Sequence, residues 1–112
     1  MPDKKDFLKI IDYYGLFEQL QYFQSEVYEL NEAIIRYDEA GNNNFDGKSD
    51  KDLNEMKNHV AEEIADVFVM LKQFQYTFGF KDEKINEIVD YKVKRQLERI
   101  KEEKKGNELC EK

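Results

Sequence analysis

The stretch HVAEEIADVFVML, residues 59–71, has the period of a helix and two unlike faces. Val60, Ile64, Val67 and Leu71 recur at steps of three and four, the spacing of one helical stripe. The same window holds Glu62, Glu63 and Asp66. A carboxylate at the margin of an apolar helix is costly to desolvate, so each of these acids must be solvated, paired or given a cation. At about 100° per residue, Glu63 falls about 60° and Asp66 about 120° to one side of the stripe, and His59 and Met70 share that flank.

Outward from this window, Leu53, Met56, Phe74 and Phe78 extend the stripe into a long helix that Gly79 closes. Before it, Leu16, Leu20, Phe23, Val27, Leu30, Ile34 and Tyr37 predict another long amphipathic helix, ending near Ala40. Residues 4–14 predict a short first helix with Gly15 as stop or hinge. Ile85, Ile88, Val89, Val93, Leu97 and Ile100 predict a fourth helix, and the residues after it are too charged to pack. Between the second and third helices, residues 41–52 (GNNNFDGKSDKD) predict a surface loop. That loop fails as a calcium-binding EF-hand: Asn42 stands where the first Asp belongs and Leu53 where the bidentate Glu belongs. The expectation is an all-α fold, an antiparallel helical bundle of three long helices plus a short N-terminal helix. A single domain over residues 1–105 precedes a polar tail, 106–112.

Composition narrows the function. With 8 Phe and 7 Tyr against one Pro and 5 Gly, the chain has bulky core material and few helix breakers. A net charge of −7 repels a phosphate backbone, so nucleic acid is not an expected partner. A small anion still has a route to the protein through a metal. The lone Cys110 has no internal partner, which fits a reducing compartment. The charged start MPDKKDFLKI lacks the apolar core of a signal peptide, and no run has the length of a membrane span. A cytoplasmic protein with no membrane partner is expected.

The second helix repeats the pattern of the third. Glu26 and Glu29 fall about 80° and 140° from its apolar stripe, again on one flank. If the two helices pack antiparallel, Glu26, Glu29, Glu63 and Asp66 converge on a small volume, where four charges need compensation. Mg²⁺ or Mn²⁺ is the natural partner, because such hard cations take oxygen ligands and keep waters that substrate phosphates displace. Spacing alone also fits ordinary solvated helix residues in a chain with 25 acids.

The segments QLQYFQSEVYELNEAIIRY and EEIADVFVML together resemble the all-α nucleoside triphosphate pyrophosphohydrolases, the MazG-like superfamily that includes the dimeric dUTPases. The family's ExxE on one helix and ExxD on the next match Glu26-x-x-Glu29 and Glu63-x-x-Asp66. Small phage and bacterial members look most similar, through the shared Q-L-x-x-x-x-x-E-x-x-E-L-x-x-A-I and a late K-x-x-R-Q-x-x-R-I, here Lys92, Arg95, Gln96, Arg99 and Ile100. Ser25 departs from the many relatives that carry a further Glu there. The resemblance implies hydrolysis of a nucleoside triphosphate to the monophosphate and pyrophosphate, as in house-cleaning of the nucleotide pool. It implies catalytic and metal-binding roles for Glu26, Glu29, Glu63 and Asp66, and a homodimer or homotetramer.

Other residues are candidates with plain structural alternatives. Gln19 suits a base edge or a polar helix surface. Lys92 and Arg95 suit phosphates, yet Glu98 and Glu102 offer them helical ion pairs. Tyr13, Tyr14 and Tyr22 suit base stacking or core packing, and His59 suits tuning of Glu63 one turn away. A ferritin-like di-iron centre is excluded, since it needs Glu-x-x-His on two helices and the chain has one His. The rival to the enzyme is a non-catalytic helical bundle, an interaction or nucleotide-binding regulatory module.

Overall fold

A computed structural model describes residues 1–42 and 49–110. Four helices and no strand occur among them: α1 (Lys4–Tyr14), α2 (Leu16–Asn42), α3 (Asp50–Thr77) and α4 (Asp82–Cys110). The all-α class, with three long helices and a short N-terminal one, is the class predicted above. The central residues of the Asn-rich segment, 43–48, and with them most of the calcium-like positions, lie outside the described residues. The chain divides into two units, Met1–Phe78 and Gly79–Lys112.

Local chemistry sets the helix ends of the first unit. Asp3 caps α1 by accepting from the Asp6 amide at 3.2 Å, while Asp6 Oδ2 accepts from the Asp3 amide at 3.3 Å. Gly15 ends α1 at φ 95°, donating its N–H to the Ile11 carbonyl at 2.7 Å. A side chain at that φ strains the backbone, so glycine lets α2 start one residue later. Ser49 and Asp52 build the same reciprocal cap for α3. For that reason α3 begins at Asp50, inside the segment expected to be loop: a Ser three residues ahead of an Asp is a start signal.

The helices α2 and α3 run antiparallel. Gln19 meets Gln73, Glu26 meets Glu63, and Ala33 and Arg36 share a cavity wall with Met56 and His59, so partner numbers fall as α2 ascends. The edge-on rings of Phe23 and Phe74, 5.4 Å apart, lie along the same seam. Helix α1 packs against both, burying Phe7 and Ile11, with the Phe7 ring 5.8 Å from that of Tyr76. Phe7→Ala is expected to cost about 3 kcal/mol, the usual cost of a deleted core ring. Chemical denaturation with α1 fluorescence-labelled would read it, and a loss below about 1 kcal/mol would show that α1 does not depend on this contact.

The stripes read as core are not the most buried surface. Leu16, Leu20 and Ile34 on α2 and Ile64 and Leu71 on α3 are 40–52% exposed. The buried positions of the seam are Gln19, Glu26, Ala33, Glu63, Met70 and Gln73. The two helices meet along one flank of each stripe, which half-buries Phe23 and Phe74 and leaves the far edge of each stripe outside the seam.

Helix α4 forms the second unit. It continues through Gly106 to Cys110, past the expected start of the polar tail. Glu98, Glu102, Lys101 and Lys105 are good helix formers at pairing distance along a helix, so the element needs no apolar partner to persist there. No helix among the described residues is long and apolar enough to cross a membrane.

Candidate functional site

The seam between α2 and α3 brings Glu26, Glu29 and Glu63 together. One carboxylate oxygen from each lies within 4.8 Å of the other two. The antiparallel run of the helices produces this, since the two acidic flanks face each other near mid-seam. Glu26 and Glu63 are buried, at 4% and 7% exposed, and Glu29 opens to solvent. Glu26 Oε2 and Glu63 Oε2 are enclosed and have no hydrogen-bond partner among the described residues. Buried polar atoms are almost always satisfied, so these two carboxylate oxygens call for a proton or a cation.

The electrostatics agree. Burial pushes the Glu63 carboxyl above its ordinary range, and the charges of Glu29, Asp66 and Glu26 push it further, against a smaller opposing pull from His59. His59 Nε2 lies 3.6 Å from Glu63 Oε1, and its Nδ1 lies 3.8 Å from Glu62 Oε2. Above the cluster, a hydrogen bond to Glu26, together with that residue's charge, raises the Tyr22 hydroxyl above its usual value.

Asp66, the fourth expected ligand, is exposed and stands beside the three-carboxylate group. It lines an adjoining cavity of about 470 Å³ together with Gln19, Tyr22, Met70 and Gln73, closed on one side by Ile10 and Tyr14 of α1. Gln19 is therefore a buried cavity residue and not a polar helix surface. Of the tyrosines, Tyr14 and Tyr22 reach this cavity, whereas Tyr13 is 82% exposed and stacks edge-on against Tyr14. Lys92 and Arg95 lie on α4 in the second unit, both exposed.

One residue of the site escaped the sequence reading. Gln73 is the most buried side chain of the seam, at 1% exposed. The signal was present, because Gln73 lies seven residues after Asp66 and ten after Glu63, on the same acidic flank extended by two turns. No family model matches the chain, and neither does any curated protein or solved structure.

Proposed function

We propose that this chain is a divalent-metal-dependent nucleoside triphosphate pyrophosphohydrolase of the MazG-like kind. One observation carries the reading: the three converging carboxylates of Glu26, Glu29 and Glu63, two of them with an enclosed and unpartnered oxygen. The donor set, all carboxylate oxygen, suits Mg²⁺ or Mn²⁺. Glu26, Glu29 and Glu63 would hold the ion, with Asp66 at the edge. Bound there, it supplies positive charge to phosphate oxygens that the acidic protein would otherwise repel.

The protein's own groups do the rest. Glu26 or Glu29, whichever is less engaged as a ligand, takes the proton of the attacking water. Water oxygen bonds to the α-phosphorus, the bond from that phosphorus to the bridging oxygen breaks, and pyrophosphate leaves with the electron pair. Tyr22 holds the Glu26 carboxylate by its hydroxyl. The cavity walled by α1 has room for the nucleoside.

The deciding experiment is pyrophosphate release from a panel of ribo- and deoxynucleoside triphosphates, with and without Mg²⁺. Metal-dependent release accompanied by monophosphate is the expected result. Silence across the panel, with nucleotide still bound, would leave the regulatory module standing instead.

Self-association as a homodimer or homotetramer belongs to the same proposal. Ile64 and Leu71 are about half exposed, and Leu71 projects about 140° around α3 from Tyr76, where α1 packs. An apolar face of this kind marks an interface more often than a bare surface. Light scattering should give a multiple of the 13.5 kDa chain mass, and Ile64→Lys should shift it toward the monomer. A monomeric wild-type protein at micromolar concentration contradicts the expectation.

A further inference from the structure

Gln19 and Gln73 are 6% and 1% exposed, and the carboxylate chemistry uses neither. They are bonded to each other: Gln19 Nε2 donates to Gln73 Oε1 at 2.8 Å. Gln73 Nε2 donates in turn to the Val69 carbonyl, one turn back on α3, at 3.4 Å, and lies 3.6 Å from the Met70 sulfur. This chain of donors fixes the direction of both amides. Turning Gln73 over would set its carbonyl oxygen against the Val69 carbonyl. Turning Gln19 alone would set two carbonyl oxygens against each other at the 2.8 Å now spanned by a hydrogen bond. Either change loses a buried hydrogen bond and adds a repulsion between acceptors.

One polar atom of the pair is left over. Gln19 Oε1 makes no hydrogen bond among the described residues, and it is not among the enclosed, unpartnered atoms. Gln19 and Gln73 both line the 470 Å³ cavity that also touches Tyr22 and Asp66, beside the carboxylates. The open acceptor therefore faces the space where a nucleoside would sit.

We propose that Gln73 is a positioning residue: it locks the Gln19 amide so that the carbonyl oxygen, and not the NH₂, is presented to the cavity, which then selects a base edge that leads with an N–H donor. This rests on the nucleoside triphosphate reading of the neighbouring carboxylates. Suitable donors are the exocyclic amine of cytosine and the ring N–H of uracil. A base whose donor has been methylated away brings an acceptor or a methyl group against Gln19 Oε1, leaving a buried acceptor unpaired. That loss is worth about tenfold to a hundredfold in affinity.

The test measures binding without hydrolysis. Metal-free protein with ¹⁵N-labelled glutamine side chains is titrated with deoxyuridine and 3-methyldeoxyuridine, and with deoxycytidine and N4,N4-dimethyldeoxycytidine, following the Gln19 and Gln73 amide resonances. In at least one pair the parent should bind about tenfold or more tighter than its methylated analogue. Gln73→Met should bring that ratio near one while leaving Mg²⁺ affinity unchanged. Gln73→Glu, whose protonated carboxyl keeps an acceptor for Gln19 Nε2 and a donor for the Val69 carbonyl, should preserve it. Equal binding within both pairs, no binding of either parent, or an unchanged ratio in Gln73→Met overturns the proposal. The wild-type comparison decides even if a variant fails to fold. Pyrophosphate release from the triphosphates is read separately. Release with a ratio of one sinks the amide lock alone, and donor-selective binding without release sinks the hydrolase alone.

Discussion

Replacing Glu63 by Gln is expected to abolish metal-dependent pyrophosphate release while making the metal-free protein harder to unfold. The substitution keeps the shape of the side chain and removes its charge. That charge is one of three that converge within 4.8 Å. Lewis-acid stabilisation by a bound cation is worth several kcal/mol, and at about 1.4 kcal/mol per tenfold its loss lowers the rate by a factor on the order of 100 or more. Glu26→Gln should lower the rate similarly, because Glu26 is as enclosed and also carries an oxygen without a partner. The two losses should not add, since ligands of one ion act as a unit. Glu62→Gln is the control. Its side chain is 77% exposed and lies one residue from the cluster, so the rate should stay within about twofold, as for most exposed substitutions. Rates that fall equally in Glu62→Gln and Glu63→Gln would mean that bulk negative charge, and not a built site, was being measured.

The sequence carried much of this arrangement, and the shortfalls have identifiable causes. The period of the apolar residues placed α1 from Lys4 to Tyr14, because a glycine after Tyr14 and a regular stripe before it are both local signals. Convergence of Glu26, Glu29 and Glu63 also followed from local facts, since each helix's own spacing put its acids on one flank and antiparallel packing did the rest. The angle at which α2 and α3 meet is not a local property. Treating the apolar stripe as the contact surface gave a core of Ile64 and Leu71, yet the helices meet along the flank and leave both about half exposed. The same rotation buried Gln73, which a stripe-centred reading had no reason to single out. Asp66 shows the limit of a motif: its spacing from Glu63 is that of the ExxD it resembles, but it sits on the cavity wall and reaches the cluster only through its charge.

Acidity and Mg²⁺ should stabilise the protein in opposite parts of the pH range. Folding raises the Glu63 carboxyl above its ordinary value, chiefly by burial and then by the charges around it. The folded state therefore binds a proton in a window just above the ordinary glutamate range, where the unfolded chain has already released it. Stability from this group is fully present below the ordinary value and is lost as pH rises through the raised one. In metal-free buffer the advantage of Glu63→Gln over wild type should thus be small near pH 4 and widen toward neutrality, read as the difference in Tm between the two proteins. Adding Mg²⁺ reverses the order. Metal binding requires ionised carboxylates and grows with pH, and at a hundred times its Kd it stabilises the fold by about 2.7 kcal/mol, a rise in Tm on the order of 10 °C for a domain of this size. Wild type should then exceed Glu63→Gln at neutral pH, and calorimetric scans with and without Mg²⁺ at three pH values would show the crossing. A Tm difference that ignores both pH and Mg²⁺ would mean that the enclosed oxygens of Glu26 and Glu63 are satisfied in solution by something other than a proton or a divalent cation, and the carboxylate seam would then be a structural feature without chemistry.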